Sequence, residues 1–228
     1  MRAIAQGRTR AVLLGVLAIC VLAPVAAHAF VFSAPRYSIL EGERSGSDVF
    51  KIGGIEQVCK QGYFNGNFSS RTLEVEPVFD ECTAKALAGM TSNYVLYKCT
   101  FQVRAVDRPS RKGAWEAPVD LECPTTYKLR WQVFESQESF EGGKNVCTTT
   151  VPPQKNIGTA EVTNMKGSRD DITIRWDLSG MRYETYGSAL YCGGPEGATR
   201  QGASYRGYAT IRATDLAGRK PQDLAVHG

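Results

Sequence analysis

Nucleophilic and acid–base catalysis draw mostly on His, Cys, Ser, Lys and carboxylates held in fixed spacings. This 228-residue chain uses histidine only twice, at His28 and His227. His28 falls in an N-terminal segment with the character of an export signal. His227 is next to last, on a polar stretch expected to fray. A Ser-His-Asp or Cys-His mechanism needs an imidazole held between nucleophile and carboxylate, so the sequence argues against that class. No S-x-x-K spacing occurs beyond residue 29. The Gly46-Ser47 and Gly187-Ser188 stretches lack the nucleophile-elbow pattern.

Carboxylates offer more. Glu74, Glu76, Asp80 and Glu81 cluster, as do Glu135, Glu138 and Glu141, and Asp170-Asp171 precede a run ending at Asp177. A glycosidase needs two carboxyls about 5–10 Å apart across a sugar. Charged residues are seldom buried unless paired, so the plainer reading is solvated strand faces and loops. Asp170-Asp171 supply only part of the six to eight oxygens that calcium takes, and the adjacent residues do not complete a calcium-loop motif. No cofactor motif is present.

Five of the ten tyrosines, Tyr183, Tyr186, Tyr191, Tyr205 and Tyr208, lie close together in sequence. A tyrosine gives rigid contact area with a polar tip, which suits a ligand surface. Tyr183, Tyr186 and Tyr205 are therefore the candidate ligand-binding residues, with cross-strand packing as the competing role. Parity already divides the cluster, because Tyr208 and Thr210 oppose Tyr205, Ala209 and Ile211. Trp115, Trp131 and Trp176 read as packing residues.

Cys59, Cys82, Cys99, Cys123, Cys147 and Cys192 make an even set outside the export signal. An even count in an exported chain reads as disulfides. Six cysteines allow 15 connectivities; nearest-neighbour pairing, 59 with 82, 99 with 123 and 147 with 192, is favoured. No C-x-x-C occurs and histidine ligands are nearly absent, so a zinc site is not expected.

These residues must be positioned by strands. Val95–Val103, Val119–Cys123, Leu129–Val133 and Ile172–Leu178 alternate apolar with polar residues, the pattern of half-buried antiparallel strands. Weaker runs fall at Tyr37–Leu40, Val49–Ile52, Ile55–Cys59, Tyr63–Phe68, Thr72–Phe79, Val146–Val151, Thr159–Met165, Ser188–Cys192 and Tyr205–Thr214. Gly53-Gly54, Asn65-Gly66, Gly142-Gly143 and Gly193-Gly194-Pro195 punctuate them. Pro77 marks a sheet edge or a strand end. Only Thr83–Met90 looks helical. The prediction is an all-β, disulfide-stapled antiparallel sandwich or barrel-like domain over residues 30–216. It carries a weak symmetry between 30–125 and 126–216, and a polar tail at 217–228.

Residues 1–29 combine Arg2, Arg8 and Arg10 with the apolar run Ala11–Ala27 and an Ala27-His28-Ala29 cleavage site, the layout of a signal peptide. Losing its three arginines lowers the formal charge from +4 to +1. That leaves no case for nucleic acid, and no transmembrane segment is expected after cleavage. Asn67-Phe68-Ser69 fits a glycosylation pattern.

The order Asp80-Glu81-Cys82-Thr83-Ala84, Leu121-Glu122-Cys123-Pro124, Cys147 followed by Thr148 to Gln154, Ser179-Gly180-Met181-Arg182-Tyr183 and Tyr205-Arg206-Gly207-Tyr208 resembles a family of secreted actinobacterial six-cysteine proteins of unknown function. The resemblance implies a secreted β-rich fold and a bacterial host, and transfers no active site. The expectation is a non-catalytic binding or envelope-associated module at the cell exterior, with a cell-wall glycan or another extracellular protein as partner. A paired-carboxylate hydrolase and a purely structural extracellular protein are the alternatives.

Overall fold

The computed structural model describes residues 30–35, 38–84, 91–95, 98–106, 113–135, 144–167, 171–218 and 220–227. Residues 1–29, expected to be a signal peptide, lie outside them. The first strands are β1 (Val31–Ser33), β2 (Ser38–Arg44), β3 (Asp48–Ile52), β4 (Ile55–Phe68) and β5 (Thr72–Ala84). Then come β6 (Thr91–Val95), β7 (Thr100–Arg104), β8 (Ala114–Glu122), β9 (Leu129–Phe134) and β10 (Asn145–Val151). The chain continues with β11 (Gln154–Asn164), β12 (Asp171–Gly187), a helical turn α1 (Ala189–Cys192), β13 (Thr199–Asp215), β14 (Pro221–Gln222) and β15 (Ala225–His227).

The expected all-β fold is present, and its strand pairings are antiparallel. The main ladder closes on itself twice. One ring runs β2-β4-β5-β7-β8-β11-β12-β13 and back to β2. The other runs β3-β4-β5-β6-β9-β10-β12-β13 and back to β3. The long strands β4, β5, β12 and β13 pass through both rings. The shorter strands fill one ring each. Closure leaves few open sheet edges, which protects against edge-to-edge association. The pairings β6–β9, β8–β11 and β13–β2 all join strands from either side of residues 125–126, so the two stretches are interleaved in one ladder.

A seam separates the rings. There β2 gives way to β3, β6 to β7, β8 to β9 and β10 to β11. The expected run Val95–Val103 is thus split, with Lys98 at φ 52°. Three of the through strands change parity at the same level. Inward residues in β4 step from Cys59 to Gly62, in β5 from Phe79 to Cys82, and in β12 from Leu178 to Met181. The β12 step uses Gly180 at φ 74°, in a break in the β12–β13 register. Pro77 neither ends β5 nor sits at its end. It lies where the ladder opposite β4 passes from β7, last paired at Val75, to β6, first paired at Cys82.

The barrel interior is mostly apolar. Phe50 stacks on Tyr205 with centroids 4.4 Å apart, and Phe79, Phe101, Trp131 and Trp176 surround the pair. Outward residues of β12 such as Thr173, Arg175 and Asp177 are polar, the reverse of a lipid-facing barrel. Trp115 packs against Phe30 at the first ring's edge.

The three disulfides join the nearest neighbours: Cys59 to Cys82, Cys99 to Cys123 and Cys147 to Cys192. The first two clamp the seam, and the third ties β10 to α1. Loops of 23, 24 and 45 residues stabilise by roughly 3–4 kcal/mol each in the chain-entropy treatment.

Three expectations are corrected. Ser188–Cys192 is not a strand but leads into the single turn α1, ended by Gly193 at φ 67°, a left-handed cap that glycine adopts freely. Of the expected helix Thr83–Met90, Thr83 and Ala84 finish β5, and residues 85–90 lie outside the described part. The polar tail is not frayed. β15 pairs with β1 in register Phe32↔Val226, and Leu224 and Val226 are buried in the main core. Two inward apolar side chains, pairing with β1 and the Asn164 side chain together dock the chain end.

Candidate functional site

The β1–β15 ribbon builds one wall of a cleft of about 440 Å³. Ser33, Asn164, Asp171, Asp223, Leu224, Ala225 and His227 line it. Ser33 and His227 lie diagonally across the ribbon, two pairs apart in register, and the Ser33 hydroxyl sits 2.8 Å from His227 Nε2. Asn164, at the end of β11, brackets Val226. Its amide Nδ2 donates to the Val226 carbonyl at 2.9 Å, and its Oδ1 accepts from the Val226 N–H at 2.8 Å. That two-bond clasp fixes β15 and therefore His227. Asp171 opens β12 and faces Arg212 of β13 at 3.7 Å. Asp223 is exposed at the mouth, and Leu224 is buried beneath it.

The cleft thus presents two carboxylates, a hydroxyl and an imidazole over an apolar base. Such a mixture can accept and donate hydrogen bonds to a small polar ligand. The Ser33–His227 contact resembles half of a nucleophile–base pair. Among the described residues, no carboxylate forms an ion pair with His227, and a triad would need one to orient its imidazole. Sequence reasoning passed over this site because composition alone marked residues 217–228 as a tail. The signal that could have found it is Leu224-x-Val226, a two-residue alternation.

The candidate tyrosines do not share an exposed face. Tyr205 is fully buried at 0% exposure, and Tyr183 is buried at 4%. Tyr186 is 42% exposed. Tyr205 points inward with Ala209 and Ile211, as its parity requires, while Tyr208 points outward with Arg175 5.8 Å from its ring. Tyr183 faces inward because of the parity step at Ser179-Gly180. The Tyr186 hydroxyl donates to Glu184 at 2.9 Å, and Lys128 sits 3.2 Å from the same carboxylate. Tyr186 and Lys128 hold the Glu184 carboxyl below its usual range, and Glu184 in turn pushes the Tyr186 hydroxyl up.

The carboxylate clusters are dispersed along outer faces. Glu74 and Glu76 share the wet face of β5. Glu81 accepts from Gln61 at 2.7 Å, Glu135 stands 3.8 Å from Lys144, and Asp177 stands 3.4 Å from Arg206. Glu138, Glu141 and Asp170 lie outside the described residues. Among the described residues, no group of three His, Cys, Asp or Glu side chains could hold a metal ion.

Two buried acids were not singled out by sequence. Asp120, on β8, takes the Asn156 N–H at 2.7 Å and lies 2.9 Å from Arg104 and 3.3 Å from Lys155, which also contacts Glu122. Burial alone would raise the Asp120 pKa. The Asn156 N–H and the two cations overcome that and hold the carboxyl below the usual range. The cluster secures the irregular start of β11, where Asn156 adopts φ 53°. Asp48, on the seam, is fully buried against Tyr205. No family model, curated protein or solved structure significantly matches this chain.

Proposed function

We propose that the chain is a secreted, non-catalytic binding module of the cell exterior. Its ligand is a small hydroxyl-rich molecule, such as the end of a cell-wall glycan, taken into the β1–β15 cleft. The observation that carries this reading is the gathering of Ser33, Asp171, Asp223 and His227 around one apolar-based cleft on a rigid barrel. Carboxylates and an imidazole suit the hydroxyls of a sugar, and Leu224 and Ala225 suit its C–H face. Three disulfides support an oxidising destination. The non-catalytic reading rests on the cleft's role as a hydrogen-bonding surface, with the Asn164 amide engaged in holding β15.

Calorimetric titration with soluble cell-wall glycan fragments tests the reading. Saturable binding that falls at least tenfold in Asp223→Ala and in His227→Ala is the expected result. Absence of binding at millimolar ligand would overturn it and favour a purely structural role. A second reading, a paired-carboxylate hydrolase, draws on one observation: Asp171 and Asp223 line the same cleft. It requires release of new reducing ends from the same fragments, abolished by Asp223→Asn, with binding retained.

A further inference from the structure

Asp48 is the first residue of β3, on the seam side of the break between β2 and β3. Its register partner on β4 is Cys59, and β13 passes the break with Gly207 opposite it. The carboxylate fills the space left by two missing side chains. A Cβ at Gly207 would collide with Asp48 Oδ1 and the Tyr205 hydroxyl, and a Cβ at Gly62 would come within 3.1 Å of Asp48 Oδ2. Oδ1 accepts the Tyr205 hydroxyl at 2.8 Å. Oδ2 is buried and has no hydrogen-bond partner among the described residues. Among the described residues, the charged and titratable groups facing the carboxylate are Tyr205 from β13 and Arg44 from β2. Arg44 directs its guanidinium to the Cys59 carbonyl on β4. β4 contributes Gly62, and β5 contributes the Phe79 ring beside it.

An ionised carboxylate with one oxygen unsatisfied in such a place is costly, whereas the neutral acid is much less so. We propose that Asp48 is a pH-operated latch on the seam: protonation closes the β3–β13–β4 junction, and ionisation loosens it. Burial raises the carboxyl to about 6, against an ordinary value of 3.8, with the Tyr205 hydroxyl and the Arg44 charge offsetting only part of the effect. The folded state therefore holds the extra proton between about pH 4 and 6, and stability rises as pH falls through that window. Two pH units correspond to roughly a hundredfold change in the unfolding equilibrium.

The test uses the oxidised exported chain. Its denaturant stability is followed from about pH 4 to 7.5 beside Asp48→Asn. The wild-type unfolding constant should fall by about a hundredfold more than that of the variant on acidification. Parallel profiles would overturn the latch. If Asp48→Asn does not fold, the wild type decides. A carboxyl carbon titration of Asp48 by NMR should have its midpoint near 6, with exchange of amides 48–50 and 205–207 slowing below it. A midpoint at or below the ordinary 3.8, or exchange indifferent to pH, would refute the proposal. Tyr205→Phe removes a donor that favours the charged form, so it should move the midpoint upward.

Discussion

Asp120 and Asp48 are both buried acids on strands of the same barrel, and their surroundings drive them in opposite directions. Asp120 is met by Arg104, Lys155 and a backbone N–H. Its contribution is present above the ordinary carboxylate range and is lost as pH falls through its lowered folded pKa. Asp120→Asn should therefore cost about 2 kcal/mol near neutrality. That cost should shrink in acid, as seen by urea unfolding at the two pH values. Trp176 fills the first ring against Phe101 and Tyr205, and Trp176→Ala should cost about 3–5 kcal/mol. Sequence parity carried part of this picture. Tyr205 with Ala209 and Ile211 was readable as one face because β13 keeps its alternation from Ala203 to Ala213. Tyr183 was not, because the inward residues of β12 pass from even to odd numbers at Ser179-Gly180, and a local period cannot cross such a step. Asp48 was invisible for a different reason. An aspartate beside a Ser-Gly-Ser turn reads as solvated, and its partner Tyr205 lies 157 residues away.

Among the elements, β15 most changes the reading of the chain. Its residues look like a polar end, and its partner β1 lies 194 residues before it. No local pattern predicts a ribbon joined over that distance. Burial of Leu224 makes a definite claim: Leu224→Ala should lower stability by about 2–5 kcal/mol, where a frayed tail would show no change. Thermal unfolding decides between them. Asn164→Ala should have a second effect, loosening His227 through loss of the Val226 clasp. Increased amide exchange at residues 225–227, with β12 unaffected, would report it. The strands themselves were the most legible elements, because period two survives within each ring. The sequence runs Ile55–Cys59 and Tyr63–Phe68 are one strand, β4, divided only by its parity step.

At the level of the whole molecule, four long strands carry two closed rings, and disulfides sit where the rings meet and where α1 leaves the ladder. All-β character and cysteine pairing were open to sequence reasoning, since both rest on local alternation and near-neighbour spacing. The double closure was not, because it depends on which of several similar strands share an edge. Replacing Cys147 and Cys192 together by serine frees a 45-residue loop and should cost about 2–5 kcal/mol. Asn164 and Asp171 of the β1–β15 cleft lie within that loop, but β11 and β12 stay held by their pairings with each other, with β8 and with β13, so ligand affinity should be retained below the lowered melting temperature. The central claim is that this cleft, and not the tyrosine-bearing outer face near Tyr186, receives the ligand. Amide shift mapping during titration with a cell-wall glycan fragment tests it most directly. The account predicts perturbations confined to residues 31–33, 164–165, 171 and 223–227; shifts centred on residues 184–186, or none at all, would contradict it.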